Sequence, residues 1–332
     1  MSKPVLPTGV PEAAATPSAT PSATPITAAP APSAPGPASP KAPRGLYAVD
    51  APHVSRIRVH HLSEFKRHHQ RITAVTCYDA TFARLVDAAG IDVVLVGDSL
   101  GNVIQGQDTT LPVTVDHIVY HTAAVARGLE RAHLVADLPF LSYRSPEVAL
   151  VSAGRMLAEG GAHAVKLEGG AEVAPIVQAL VQAGIPVMGH IGLTPQSVHA
   201  MGGHRVQGRG DKARKRLIQA ALTLQKAGCY ALVLEAIPAE LAEEVTAALA
   251  IPTIGIGAGD GCDGQILVLY DMLGLNPSFK PKFVKHFAQL GEAVVHALRS
   301  YRSEVMHGTF PAAEHTYTDP TVASAPRRDV AG

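Results

Sequence analysis

The stretch Asp92-Val93-Val94-Leu95-Val96-Gly97-Asp98 decides how this chain is read. Val93 to Val96 is too short and too β-branched for a typical helix, so it reads as a strand buried on both faces, the kind found in parallel sheets. The run closes on a polar side chain, Asp98. The same unit recurs where apolar runs end on Asp137, on Lys166 with Glu168, on His190 and on Glu235. In parallel α/β folds ligands bind at the carboxyl ends of the strands, which makes these endings candidates for chemistry rather than packing.

Working outward, strands are expected at Ile72 to Cys77, Val93 to Val96, Leu134 to Ala136, Ala164 to Leu167, Pro186 to Gly189, Ala231 to Leu234 and Thr253 to Ile256. Helical spacing fills Pro146 to Glu159, Ala171 to Ala183, Lys212 to Ala227 and Ala239 to Ala250, with Gly90, Gly160, Gly184 and Gly228 at helix stops. Gln265 to Tyr270 follows the seventh strand too closely for a full crossover helix, and reads as strand or helix. Seven or eight such units predict a single-domain α/β fold, a (βα)8 TIM barrel, over an open doubly wound sheet. Gly255-Ile256-Gly257-Ala258-Gly259 lacks the G-x-G-x-x-G spacing and reads as a strand end, not a dinucleotide site.

The 28 basic and 28 acidic residues balance, which gives no field for capturing nucleic acid or an anionic membrane. Cys77, Cys229 and Cys262 show no paired spacing, so neither a disulfide framework nor a zinc knuckle is indicated and a reducing compartment is expected. No apolar run nears the roughly 20 residues needed to cross a bilayer, and a secretory signal layout is missing, so a soluble protein is expected. Residues 1–44 are dominated by Pro, Ala, Ser and Thr and read as a disordered tail; a transit peptide is the competing reading, with few basic residues to support it. Residues 45–315 form the expected catalytic barrel, and 316–332 a second disordered tail.

Asp98 and Asp137 end consecutive strands, and neighbouring strands lie roughly 4.8 Å apart, close enough for two carboxylates to share a cation. Two oxygen ligands completed by water suit Mg²⁺, with Glu168 adding a third acid directly or through water. Taken singly, each Asp reads equally well as a helix cap or turn former. Lys166 lies inside a strand, where lysine is rarely buried unpaired, and is expected to point into the barrel mouth. His190 reads as a pocket group or as a satisfied core histidine. Glu235 ends an apolar strand, a setting that would raise its pKa toward that of a general base, though a simple salt bridge is the plainer reading. His60, His61, His68 and His69 read as a solvated helix at the barrel's bottom rather than a metal site. Gly202 to Gly210, glycine-flanked and basic, has the composition of a mobile lid or of an ordinary exposed loop.

The strings VGDSLGNV around Asp98, VADLPF around Asp137, VKLEGG around Lys166, GHIGLTPQS from Gly189, GGHRVQGRG from Gly202, LVLEAIP around Glu235 and IGIGAGDGCDGQIL from Ile254 occur in this order. Together they make the chain resemble the ketopantoate hydroxymethyltransferase family from about Arg58 to about His315, the long N-terminal tail excepted. The resemblance implies transfer of a one-carbon unit from 5,10-methylenetetrahydrofolate to 3-methyl-2-oxobutanoate, giving 2-dehydropantoate for pantothenate and coenzyme A synthesis. It implies Mg²⁺ held by Asp98, Asp137 and Glu168, with the two aspartates also meeting the keto acid. Ser99 and Lys166 would hold the substrate carboxylate, His190 would lie near the keto acid, and Glu235 would accept the proton. A cytoplasmic homodecamer is the assembly it implies. The rivals are another Mg²⁺-dependent 2-oxo acid lyase or mutase barrel, whose catalytic cysteine loop is not evident here, and a catalytically silent binding barrel.

Overall fold

The computed structural model describes residues 56–203, 205–276 and 281–319. The tail expected over 1–44 and most of that over 316–332 lie outside the described residues. Eight strands form the barrel: β1 Ile72–Thr76, β2 Val93–Val96, β3 His133–Asp137, β4 Ala164–Glu168, β5 Val187–Gly192, β6 Ala231–Glu235, β7 Thr253–Ile256 and β8 Gly264–Leu267. All neighbours pair in parallel in sequence order, and β8 returns to β1 through Ile72↔Gly264 to Val75↔Leu267.

Around the barrel lie α1 Val59–Arg67, α2 Ala80–Ala88, α3 Leu100–Val103, α4 Val115–Ala126, α5 Pro146–Ala158, α6 Ala174–Gln182, α7 Val198–Met201, α8 Asp211–Ala227, α9 Ala239–Ala248, α10 Leu269–Met272 and α11 Leu290–Met306. Local chemistry sets several starts. The Asp79 carboxylate accepts from the backbone N–H of Thr81 and Phe82 at 2.7 and 2.9 Å at the head of α2. Ser145 caps α5 with Pro146 at its first turn. Gly90, Gly184 and Gly228 take positive φ as expected of helix stops, but after α5 that conformation falls on Gly161 rather than Gly160.

Alternation along the strands separates two apolar layers. Val93 and Leu95 face the barrel interior with Val135, Ala164, Met188 and Val233. Val94 and Val96 face the surrounding helices with Ala136, Val165, Leu167 and Leu234. The parity set by these residues turns Asp137, Lys166, Glu168, His190 and Glu235 inward. β3, β4, β5 and β6 run further than expected at their carboxyl ends, so Asp137, Glu168, His190 and Glu235 are strand residues rather than loop residues, while β1 stops one residue short of Cys77.

Gln265 to Tyr270 is both strand and helix: β8 ends at Leu267 and α10 begins at Leu269. Only the loop 257–263 joins β7 to β8, because seven residues leave no room for a crossover helix. Of the histidine-rich segment, His60 and His61 lie on α1 and His68 and His69 just beyond it; His60, His68 and His69 are exposed and His61 half-buried, as expected of a solvated helix face, while the opposite face is buried. Leu62 is buried with Ile57 against the interior residues Ile72, Ala74 and Val93, so α1 plugs the amino end of the barrel. Among the described residues no group of three or more His, Cys, Asp or Glu is arranged to hold a metal, this segment included. The three cysteines are buried and free. Among the described residues no helix is long and apolar enough to cross a membrane.

Candidate active site

Strand register assembles the site. Asp137 on β3 pairs with Lys166 on β4, Glu168 on β4 with His190 on β5, and Gly192 on β5 with Glu235 on β6. A side chain on Gly192, whose φ is 99°, would run into the Glu235 carbonyl oxygen, so glycine lets the two strand ends close together. Asp98 follows β2 in a turn, and its backbone N–H donates to Asp137 Oδ2 at 3.2 Å. That bond ties the two acids together. Asp98, Asp137, Lys166, Glu168 and His190 are each at most 4% exposed.

Burial of charge demands pairing. Lys166 Nζ lies 3.0 Å from Asp137 Oδ1 and 3.8 Å from Glu168 Oε1, and 3.3 Å from His190 Nδ1. His190 Nδ1 faces Glu168 Oε1 at 3.4 Å and its Nε2 faces Glu235 Oε2 at 3.1 Å. Burial and the neighbouring Lys166 push the imidazole pKa down, but Glu168 and Glu235 outweigh them and lift it to about 9. The ring is therefore an imidazolium at neutral pH, with Nδ1–H directed to Glu168 and Lys166 a like-charge neighbour. Burial works against the Lys166 ammonium, yet Asp137, Glu168 and Asp98 hold its pKa above the usual lysine range.

The acids divide in two. Burial would raise Glu168, but His190 and Lys166 bring it below the ordinary value. Asp98 is pushed well above the carboxylate range by burial and then by Asp137 and Glu168, and Asp137 is raised by burial despite Lys166. The Lys166 ammonium faces Asp137 Oδ1 at 3.0 Å, but one cation stands against three buried acids and both aspartates remain raised. Two adjoining, electrostatically undercompensated carboxylates fit a divalent cation that completes its shell with water and ligand oxygens, as Mg²⁺ does, without a three-residue cage.

Ser99 heads the short α3 and its Oγ lies 2.8 Å from Tyr78 Oη. Glu235 departs from its expected apolar setting, because the imidazole of His190 from the neighbouring strand lies against it. In the segment 202–210, Gln207 N–H donates to the Ala236 carbonyl at 2.9 Å, which pins that part of it beside Glu235.

Sequence reasoning passed over Gln196. Its Nε2 donates to Asp98 Oδ2 at 2.8 Å and to the Leu138 carbonyl at 3.0 Å, and its backbone N–H donates to Glu168 Oε2 at 3.0 Å. Tyr143 Oη donates to Gln196 Oε1 at 2.6 Å. Tyr78, just beyond β1, was also missed, although its place at a strand's carboxyl end is the signal that singled out the other groups.

The family model of ketopantoate hydroxymethyltransferase matches residues 56–313, a span that takes in every one of these side chains. The chain belongs to this family. It is 54% identical over 280 residues to the 3-methyl-2-oxobutanoate hydroxymethyltransferase of Anaeromyxobacter sp. (strain Fw109-5), covering 83% of this chain and 92% of that protein. The protein of the same name from Desulforapulum autotrophicum is 57% identical over 263 residues, covering 79% of this chain and 98% of its own. Among solved structures, a phosphonopyruvate hydrolase complex with oxalate and Mg²⁺ superposes with a TM-score of 0.53 at 12% identity, covering 77% of this chain and 92% of that one. Phosphoenolpyruvate phosphomutase from Streptomyces platensis subsp. rosaceus superposes at 0.52 with 14% identity, covering 79% and 92%. This chain thus shares its barrel fold with that hydrolase and that phosphomutase, while its sequence similarity lies with the hydroxymethyltransferases.

Proposed function

We propose that the protein transfers a hydroxymethyl group from 5,10-methylenetetrahydrofolate to 3-methyl-2-oxobutanoate, forming 2-dehydropantoate for pantothenate synthesis, with 45–315 as its catalytic domain. The observation that carries this reading is the undercompensated aspartate pair beside the buried Lys166, in a family member more than half identical to proteins named for that reaction.

Asp98 and Asp137 would hold Mg²⁺, with Glu168 in support because its oxygens already face Gln196, His190 and Lys166. When bound, Mg²⁺ supplies Lewis-acid polarisation of the keto oxygen. Lys166 and Ser99 hold the substrate carboxylate, and the ammonium keeps that charge from opposing loss of the C3 proton. Glu235 takes the proton from C3, and His190 orients the Glu235 carboxylate from one side while Glu168 orients His190 from the other. The resulting carbon nucleophile attacks the methylene carbon of the folate, held in position by the same contacts, as the bond from that carbon to one folate nitrogen breaks; water then displaces the second nitrogen and supplies the hydroxyl oxygen, and the C3 proton and one water proton end on the two nitrogens of the released tetrahydrofolate.

A homo-oligomer working in the cytoplasm, with the family's decamer as the expected assembly, completes the reading; light scattering of the purified protein measures it. The reaction itself is tested by incubating the protein with 3-methyl-2-oxobutanoate, methylenetetrahydrofolate and Mg²⁺. Labelled 2-dehydropantoate should form, stop with chelator and return with added Mg²⁺. No product under any condition points to a silent barrel. The base is tested by deuterium exchange at C3 without folate: Glu235→Gln exchanging as fast as wild type removes Glu235 from that role.

A further inference from the structure

Next to the acid cluster the rim of the barrel opens into a cavity of about 340 Å³ between the segments that follow β3, β4 and β5. Glu168 and Gln196, both buried, belong to its wall as well as to the cluster. Phe140, Leu141 and Arg144 line it from exposed positions. We propose that this cavity receives the reduced pterin of the one-carbon donor, a bicycle whose pyrimidine ring is planar, with hydrogen-bond donors along one edge and an anionic tail. The inference rests on the reaction proposed above and adds to it the place of the second substrate.

Three features carry the assignment. The volume lies within the roughly 300–1,000 Å³ of small-molecule sites, enough for the bicycle while the tail stays outside. The lining matches the chemistry of such a ligand. Phe140 and Tyr143 offer aromatic faces for stacking, and the Glu172 carboxylate, already held by the Gly170 N–H at 2.8 Å, accepts donors from the aminopyrimidine edge. Arg144 supplies a guanidinium for the carboxylates of the tail.

The third feature is backbone strain. Leu141 sits at φ 62° with its side chain 57% exposed, a left-handed conformation that a branched residue rarely adopts and that concentrates at ligand clamps. The cavity is also well placed for transfer. Glu168 in its wall is 3.4 Å from His190, which is 3.1 Å from Glu235, so one imidazole separates the wall from the proposed base.

Calorimetric binding of tetrahydrofolate, which lacks the transferable carbon, is the test. Phe140→Ala and Arg144→Gln should each raise its Kd, and the KM for methylenetetrahydrofolate, by tenfold or more. Folate-independent C3 exchange should stay within twofold of wild type, which also reports that both variants are folded. Unchanged tetrahydrofolate binding in both variants overturns the assignment, and so does a fall in exchange equal to the fall in transfer, since those residues would then serve the keto acid. A wild-type protein that binds tetrahydrofolate but exchanges no C3 deuterium overturns the proposed reaction instead.

Discussion

Replacing Gln196 by leucine removes the side-chain amide that joins the metal-site acids to the loops around them while leaving its backbone bond to Glu168 intact. The amide donates to Asp98 at 2.8 Å and to the Leu138 carbonyl at 3.0 Å and accepts from Tyr143 at 2.6 Å, at a position only 5% exposed. A hydrogen bond to a charged group contributes about 1.5–3 kcal/mol and a neutral one about 1 kcal/mol, and partners left buried without a bond cost as much again or more. Leucine fills nearly the same volume and recovers a little by apolar contact. The expected loss is therefore about 3–5 kcal/mol, measurable by urea unfolding followed by circular dichroism. Asp98 loses the donor that orients it, so Mg²⁺ affinity of the free enzyme, read by calorimetry, should fall about 10–100-fold. Gln196→Leu unfolding within about 1 kcal/mol of wild type, with Mg²⁺ binding unchanged, would refute the reasoning.

Lys166→Met leaves Asp137 and Glu168 without the ammonium at 3.0 and 3.8 Å, and removing one partner of a buried pair costs about 3–5 kcal/mol. Thermal unfolding should register that loss, and the KM for the keto acid should rise at least tenfold. His133 is buried, which with His163 nearby lowers its pKa from 6.5 to about 3. The unfolded ring binds a proton below pH 6.5 and the folded ring only near pH 3, so this contribution is full above pH 6.5 and is lost as pH falls through that window. Urea titrations at pH 7 and pH 5 should show the stability gap between wild type and His133→Gln narrowing by about 1.4 kcal/mol per pH unit below 6.5. Gly264→Ala places a Cβ against the Ile72 carbonyl and 2.7 Å from the Ile72 Cβ, where β8 closes on β1. A drop of about 1–3 kcal/mol in unfolding free energy, or insoluble protein, is expected from that overpacking.

What the sequence made legible, and what it hid, follows from how the site is built. Strand parity is local: once Val93 and Leu95 face inward, period two carries the direction along every strand, and a polar residue at the inward carboxyl end is readable from its own strand. Partners are not local. Glu235 follows Ala231-Leu232-Val233-Leu234, which suggests an apolar setting, yet its neighbour is His190, supplied by another strand through a register no single strand encodes. Gln196 lies in a single 3-10 turn, Pro195–Ser197, and Tyr143 in an irregular turn, both too short to show a period, so nothing in their surroundings marks them as turned inward. The chemical character of a strand-end acid is therefore set by burial and by the charges that several strands bring around it, rather than by the residues before it. Glu168 and Asp137 make the case: both are strand-end acids on adjacent strands, but only Glu168 lies against the His190 imidazolium, and its pKa falls while that of Asp137 rises. The same contact that takes Glu168 out of the undercompensated set leaves Asp98 and Asp137 as the pair with an unmet need for positive charge.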